Sequence, residues 1–113
     1  MKLNLKSPPR SFFPRGDEKI EIKDHGEIEL MPDEQITFVK PSGRRIDFAS
    51  KNWGYYVTPS VNNNLKKQGF KTALVKNEIG NIYVLVVEEE KIDSFLKYCD
   101  EEKQNIIDWL DEK

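Results

Sequence analysis

The sequence predicts an α+β protein: a mainly antiparallel sheet of short strands with one short inserted helix and a C-terminal helical segment. Three observations carry that prediction. Apolar residues alternate with polar ones between turn sequences from Lys19 to Ser50. The stretch from Trp53 to Phe70 passes from a strand composition to a helix composition, and Ile92, Phe95, Leu96 and Cys99 fall at helical spacing. Strands joined by tight turns pair antiparallel, and a sheet with one apolar face needs another layer to cover it.

Residues 1–16 read as an extended N-terminal arm, because Pro8, Pro9 and Pro14 block both helix and central strand. Phe12 and Phe13 are two large rings in this irregular segment. They need cover from the domain's own core, from a second copy in a homodimer, or from another protein. Residues 17–113 read as a single α+β domain. Ile20 and Ile22 alternate with charges, as do Ile28 and Leu30, and Asp24-His25-Gly26 between them predicts a hairpin turn. Ile36 and Phe38 pair in the same way with Ile46 and Phe48 around Pro41-Ser42-Gly43.

Trp53 to Val57 has the aromatic and β-branched content of a strand, and Thr58-Pro59 then offers an N-cap hydroxyl followed by a residue tolerated at the first helical position. The expected helix spans 59–68, with Val61 and Leu65 on one face and Gly69 as the left-handed residue that ends it. Ile82 to Val87 is a continuous apolar run, which predicts the central strand, covered on both faces. Glu88-Glu89-Glu90 opens a helix with negative charge at its positive end. Cys99 lies on that helix's apolar face as a packing residue. Ile106, Ile107 and Leu110 fit a continued helix, a second helical piece or a last short strand.

A chain of 113 residues, 37% hydrophobic and 34% charged, is sized for one domain with one core. No apolar run is long enough to span a bilayer as a helix, and the first residues lack the apolar centre of a secretory signal, so the expected location is cytoplasmic, with no membrane partner. A single cysteine permits no internal disulfide. Charge is segregated. Residues 40–76 carry eight basic side chains against Asp47 alone, and residues 88–113 carry ten acids against four lysines. Either the acidic end neutralises the basic middle or the basic middle serves an anionic partner.

Few residues here point to catalysis. His25 is the sole histidine and adjoins a turn glycine, which rules out a His/Cys metal cluster by count and leaves a histidine-based nucleophile without a signature. The glycines are scattered singly, so no phosphate-binding loop is present. No catalytic residue, metal or cofactor is assigned. The candidate binding constellation surrounds the inserted helix. Thr58 and Ser60 either cap it or, with Arg44 and Arg45, frame an anion at its start. Asn62 and Asn63, in a run of three poor helix formers, either read a polar ligand or mark an irregular first turn. Trp53, Tyr55 and Lys66 complete the set, as core-edge packing or as a surface for a protein, a small polar ligand or single-stranded nucleic acid.

The run Lys51-Asn52-Trp53-Gly54-Tyr55-Tyr56-Val57-Thr58-Pro59-Ser60, together with Leu65 to Lys76 and Trp109-Leu110-Asp111, resembles small uncharacterised bacterial proteins associated with gene clusters for surface-polysaccharide sugars. The likeness covers roughly residues 33 to 111 and implies an accessory role beside sugar-nucleotide or glycan-building enzymes. It assigns no functional residue. The sequence therefore favours a non-catalytic binding or accessory protein. A nucleic-acid-binding module on residues 40–76 is the alternative, and a small enzyme on a phosphorylated or sugar-like substrate is the third reading.

Overall fold

A computed structural model describes residues 1–14 and 19–113. The boundary expected between arm and domain, at residues 16 and 17, lies outside them. The α+β class is as expected, and the strands are antiparallel. They form three small sheets. Strand β1 (Lys2–Phe12) pairs with β2 (Ile22–Glu29), and β3 (Gln35–Val39), β4 (Arg45–Lys51) and β5 (Gly54–Thr58) follow one another in a second sheet. After helix α1 (Asn64–Lys67), strands β6 (Phe70–Lys76), β7 (Ile82–Glu88) and β8 (Asn105–Trp109) make a third, in the order β7-β6-β8, with helix α2 (Ile92–Glu101) between β7 and β8 in sequence. No described helix is long and apolar enough to cross a membrane.

The chain forms two compact units, Met1–Gln35 with Ala49–Tyr55, and Ile36–Phe48 with Tyr56–Lys113. In the first, β1 is extended, as its prolines require, and it is hydrogen bonded to β2 along most of its length. The register runs from Lys2 opposite Glu29 to Leu5 opposite Gly26, breaks, and resumes with Arg10 opposite Asp24. Pro8 and Pro9 fall in the break, where no N–H is needed. The hairpin turn expected at Asp24-His25-Gly26 is absent, because β2 runs straight through those residues. Their turn chemistry is spent inside the strand instead. The Asp24 carboxylate accepts the Gly26 N–H at 3.0 Å, and Gly26 takes a φ of +123° beside the Asn4 carbonyl, where a side chain has no room.

In the second unit β6 is the central strand, and its Phe70, Thr72, Ala73 and Val75 are buried. Leu65, Val87 and Cys99 complete the buried apolar set. The expectation that Ile82 to Val87 lies centrally is overturned. β7 is an edge strand, and Ile82, Tyr83, Val84 and Val86 are exposed. A continuous apolar run reports how many faces a strand wants covered, and here the neighbours cover only part of them. Cys99 packs as expected, and burial pushes its thiol pKa up. Beyond α2 the chain makes a strand, β8, followed by a 3₁₀ turn at Leu110–Glu112. The Phe95 ring of α2 meets the Trp109 ring of β8 edge to face, 5.9 Å between centroids.

The expected helix 59–68 is much shorter. Thr58 ends β5, the Thr58–Pro59 peptide is cis, and regular helix begins only at Asn64. Thr58 therefore caps nothing. Ser60 does that work: its hydroxyl accepts the Asn64 N–H at 3.2 Å, and its carbonyl accepts the Leu65 N–H at 2.9 Å. The asparagines form the irregular turn before the helix. The ending at Gly69 is as expected, with φ +96° and an N–H donated to the Lys66 carbonyl at 2.9 Å.

Candidate binding site

Within the second unit, the turn between β3 and β4 is closed by hydrogen bonds from Lys40 N–H to the Arg44 carbonyl (2.9 Å) and from Gly43 N–H to the Lys40 carbonyl (2.8 Å). It presents Arg44 to the end of α1 and to the start of α2's approach. The guanidinium donates Nε–H to the Gln68 carbonyl at 2.7 Å, Nη1–H to Glu88 Oε1 at 3.1 Å, and both Nη groups to the carboxylate of Glu90. Ser42 Oγ donates to Glu88 at 2.5 Å. The Gln68 amide clamps the neighbouring backbone, accepting from Arg45 N–H at 2.9 Å and donating to the Arg45 carbonyl at 3.2 Å.

This network fixes the charge states. The Ser42 hydroxyl and then Arg44 hold the Glu88 carboxyl below the ordinary glutamate range, and Arg44 does the same for Glu90. The two carboxylates raise the already high pKa of Arg44 in return. A planar fork bound on three sides is an anchor, and its donors are spent within the chain.

Beside it lies a cavity of about 230 Å³ lined by Phe38, Val39, Ile46, Phe70 and Val86, with Lys40, Arg44 and Glu88 at its polar side. Phe38 is held by an edge-to-face contact with Phe48, 5.4 Å between centroids. Its volume falls short of the several hundred Å³ that drug-sized ligands occupy, so it suits one apolar side chain or small apolar group. A second polar cluster stands at the end of β6. The buried Asp111 carboxylate accepts the Thr72 backbone N–H at 2.8 Å and Lys71 Nζ at 3.0 Å, taking the place of a strand carbonyl beyond the end of β8. Burial alone would push this carboxyl up, but the Thr72 N–H and the Lys71 ammonium together hold it below the usual range. Lys71 also lies 4.7 Å from the centre of the Trp109 ring.

No family model, curated protein or solved structure matches this chain.

The candidate residues named from the sequence are scattered in their circumstances. Trp53 and Tyr55 are exposed, in the first unit. In the second, Ser60, Asn63 and Lys66 are exposed, Thr58 is half-buried, and Asn62 donates its amide to the Lys113 carbonyl at 3.1 Å. The expected anion site at the helix start has no basis, because α1 has only four residues and its first turn is irregular. Arg44 is committed to Glu88 and Glu90, whereas Arg45 points its charge to solvent. Phe12 is half-buried beneath the Arg10 guanidinium, 4.5 Å from the ring centre, and Phe13 is exposed. Among the described residues no group of three His, Cys, Asp or Glu side chains is placed to hold a metal ion.

Residues that sequence reasoning passed over are Glu88, Glu90 and Asp111, the acids that engage the basic middle. The opposed charge of the two segments was the signal that pointed to them. The segments do pair: Arg44 with Glu88 and Glu90, Lys71 with Asp111 and Glu112.

Proposed function

We propose that the protein is a non-catalytic binding or accessory protein, and that the exposed rings of Trp53, just before β5, and Tyr55, within it, carry its contact with a protein or a small polar ligand. One observation supports this above the rest. Trp53 and Tyr55, both in the first unit, leave 66% and 65% of their surfaces in water. Rings of this kind have an apolar body and a polar tip, gain most when a partner removes the body from water, and dominate binding energies wherever they are found in interfaces. A sugar ring offers a matching apolar face and hydroxyls for the tips, which agrees with an accessory role in bacterial glycan synthesis and a cytoplasmic setting.

The alternative, a nucleic-acid-binding module, draws on the exposed Lys66 and Lys67 of α1 near the same sequence region. It loses support from the ion pairs of Arg44 and Lys71, which remove two of the eight basic groups from the surface on offer. An amide-shift titration with pooled sugar nucleotides, short oligonucleotides and candidate proteins separates the readings. The expected result is shifts that include Trp53 and Tyr55 and that weaken roughly tenfold or more in Trp53→Ala, the loss typical of a truncated interface anchor. Binding to oligonucleotides alone, falling steeply with added salt, would transfer the site to the lysines. Silence across all pools would remove both readings.

A further inference from the structure

We propose that β7 is a dimerisation edge, which pairs antiparallel with β7 of a second copy of this chain about a two-fold axis at Leu85. The β6–β7 ladder fixes which backbone groups of β7 are spent. Glu89 N–H donates to the Gly69 carbonyl and Asn77 N–H to the Asn81 carbonyl, and both pairs share the register that sets Val87, Leu85 and Tyr83 opposite Lys71, Ala73 and Val75. Antiparallel pairs alternate between bonded and non-bonded, so the odd-numbered residues of β7 spend their backbone groups on β6. The N–H and C=O groups of Ile82, Val84 and Val86 then point away from the sheet, along an edge where no further strand is paired among the described residues.

Side chains at this edge are unlike those that natural edges use for protection. Charges, prolines and bulges discourage strand addition, whereas β7 carries a continuous apolar run, with Val84 59% exposed and Ile82, Tyr83 and Val86 also in solvent. A row of free backbone donors and acceptors selects a strand as its occupant, and an apolar strand in particular. The chain itself supplies one with the right length and charge. Centring the axis on Leu85 sets Val84 opposite the second copy's Val86 in bonded pairs, and Leu85 opposite its equivalent in a non-bonded pair. That register pairs all seven residues of β7. It also brings the exposed Glu89 of each copy, rather than Glu88 and Glu90 that Arg44 holds, to the other's Asn81 end, beside the exposed Lys76 that faces Ile82 across the ladder. Opposite charges meet at both ends, as an isologous interface requires.

The test is sedimentation equilibrium of the full chain over a range of concentrations, with variants that act on the outer edge only. The expected result is a monomer–dimer equilibrium for the wild type. Val84→Pro removes an outward N–H that β6 does not use, and Val84→Lys places a charge opposite Val86; each should weaken the dimer tenfold or more while the far-UV circular dichroism stays that of the wild type. Val84→Lys combined with Val86→Glu should restore it, because the proposed register makes both contacts ion pairs. As a second measurement, Leu85→Cys should form a disulfide-linked dimer under mild oxidation, since non-bonded partners lie at a Cα separation that a disulfide accepts, and Tyr83→Cys should not. A wild type that sediments as a monomer at every concentration overturns the proposal. So does a dimer indifferent to both Val84 variants, or one that the double variant fails to restore.

Discussion

The two units of the chain are held together in different ways. Every apolar side chain that is buried among the described residues, namely Leu65, Phe70, Ala73, Val75, Val87 and Cys99, belongs to the unit of β6, β7 and β8. Among the described residues, the unit built on β1 and β2 has one that is buried, Ser50, and that one is polar. Its order comes from the β1–β2 ladder and from ion pairs at the surface: Lys6 and Arg10 with Asp24, Lys51 with Asp33, the N-terminus with Glu34. Such pairs contribute little each and are screened by salt, whereas apolar burial scales with area and is indifferent to ionic strength. Mutations should therefore matter most in the second unit, and changes of solvent in the first.

The largest effect should come from the core of the second unit. Phe70→Ala is expected to cost about 3–5 kcal/mol in denaturant unfolding, as large-to-small changes at buried rings do. A loss below about 1 kcal/mol would mean that β6 is not the centre of that core. Next in size is Asp111→Ala, which strands the Thr72 N–H and takes away Lys71's partner; about 2–3 kcal/mol is expected, discounted because Lys71 keeps some water. Asp111→Asn, which keeps an acceptor for Thr72, should recover part of that loss, and equal losses in the two variants would assign the whole effect to charge.

The smallest effect belongs to the first unit. The Lys6 ammonium, then the Gly26 N–H, with Arg10 adding to them, bring the Asp24 carboxyl down to about 2. A folded pKa below the unfolded value of about 3.9 gives stability that is complete above about pH 4 and lost as pH falls through about 2. A carboxyl-carbon titration should place the Asp24 midpoint near about 2 and, in Lys6→Ala, closer to the ordinary value. A midpoint that ignores Lys6 would show the ion pair to be inert, leaving the ladder alone to order the ribbon.

Much of the second unit could be read from its residues. Gly69 announced a left-handed stop, Pro41-Ser42-Gly43 announced a tight turn, and the spacing of Cys99 with Phe95 announced an inward face. These signals are local, so one sequence window contains their cause. What escaped was non-local. Thr58-Pro59 has the composition of a helix start, but a Thr–Pro pair serves equally at the end of a strand, and which role it takes depends on where β5 delivers the chain. Asp24-His25-Gly26 has the composition of a turn, yet β1 lies alongside with prolines that ask for no partner, and the turn was absorbed as an irregularity. Ile82 to Val87 has a composition suited to the middle of a sheet, and composition holds no record of which strands will lie on either side. The candidate binding site was legible least. Its rings are evident from the residues, but their exposure is a property of the assembled chain, and so is the pairing of Arg44 with Glu88 and Glu90.

Position 69 governs the shape of a cavity that it does not line. A methyl group there would sit 2.5 Å from an Arg44 Nη and 3.0 Å from its Nε, on a backbone whose φ of +96° already disfavours any side chain. Displacing the guanidinium would pull one wall from the cavity and release two carboxylates at once. A hydrogen atom at residue 69 thus acts as the keystone of a recess built by other side chains, and a single added methyl group would reach all of them through Arg44.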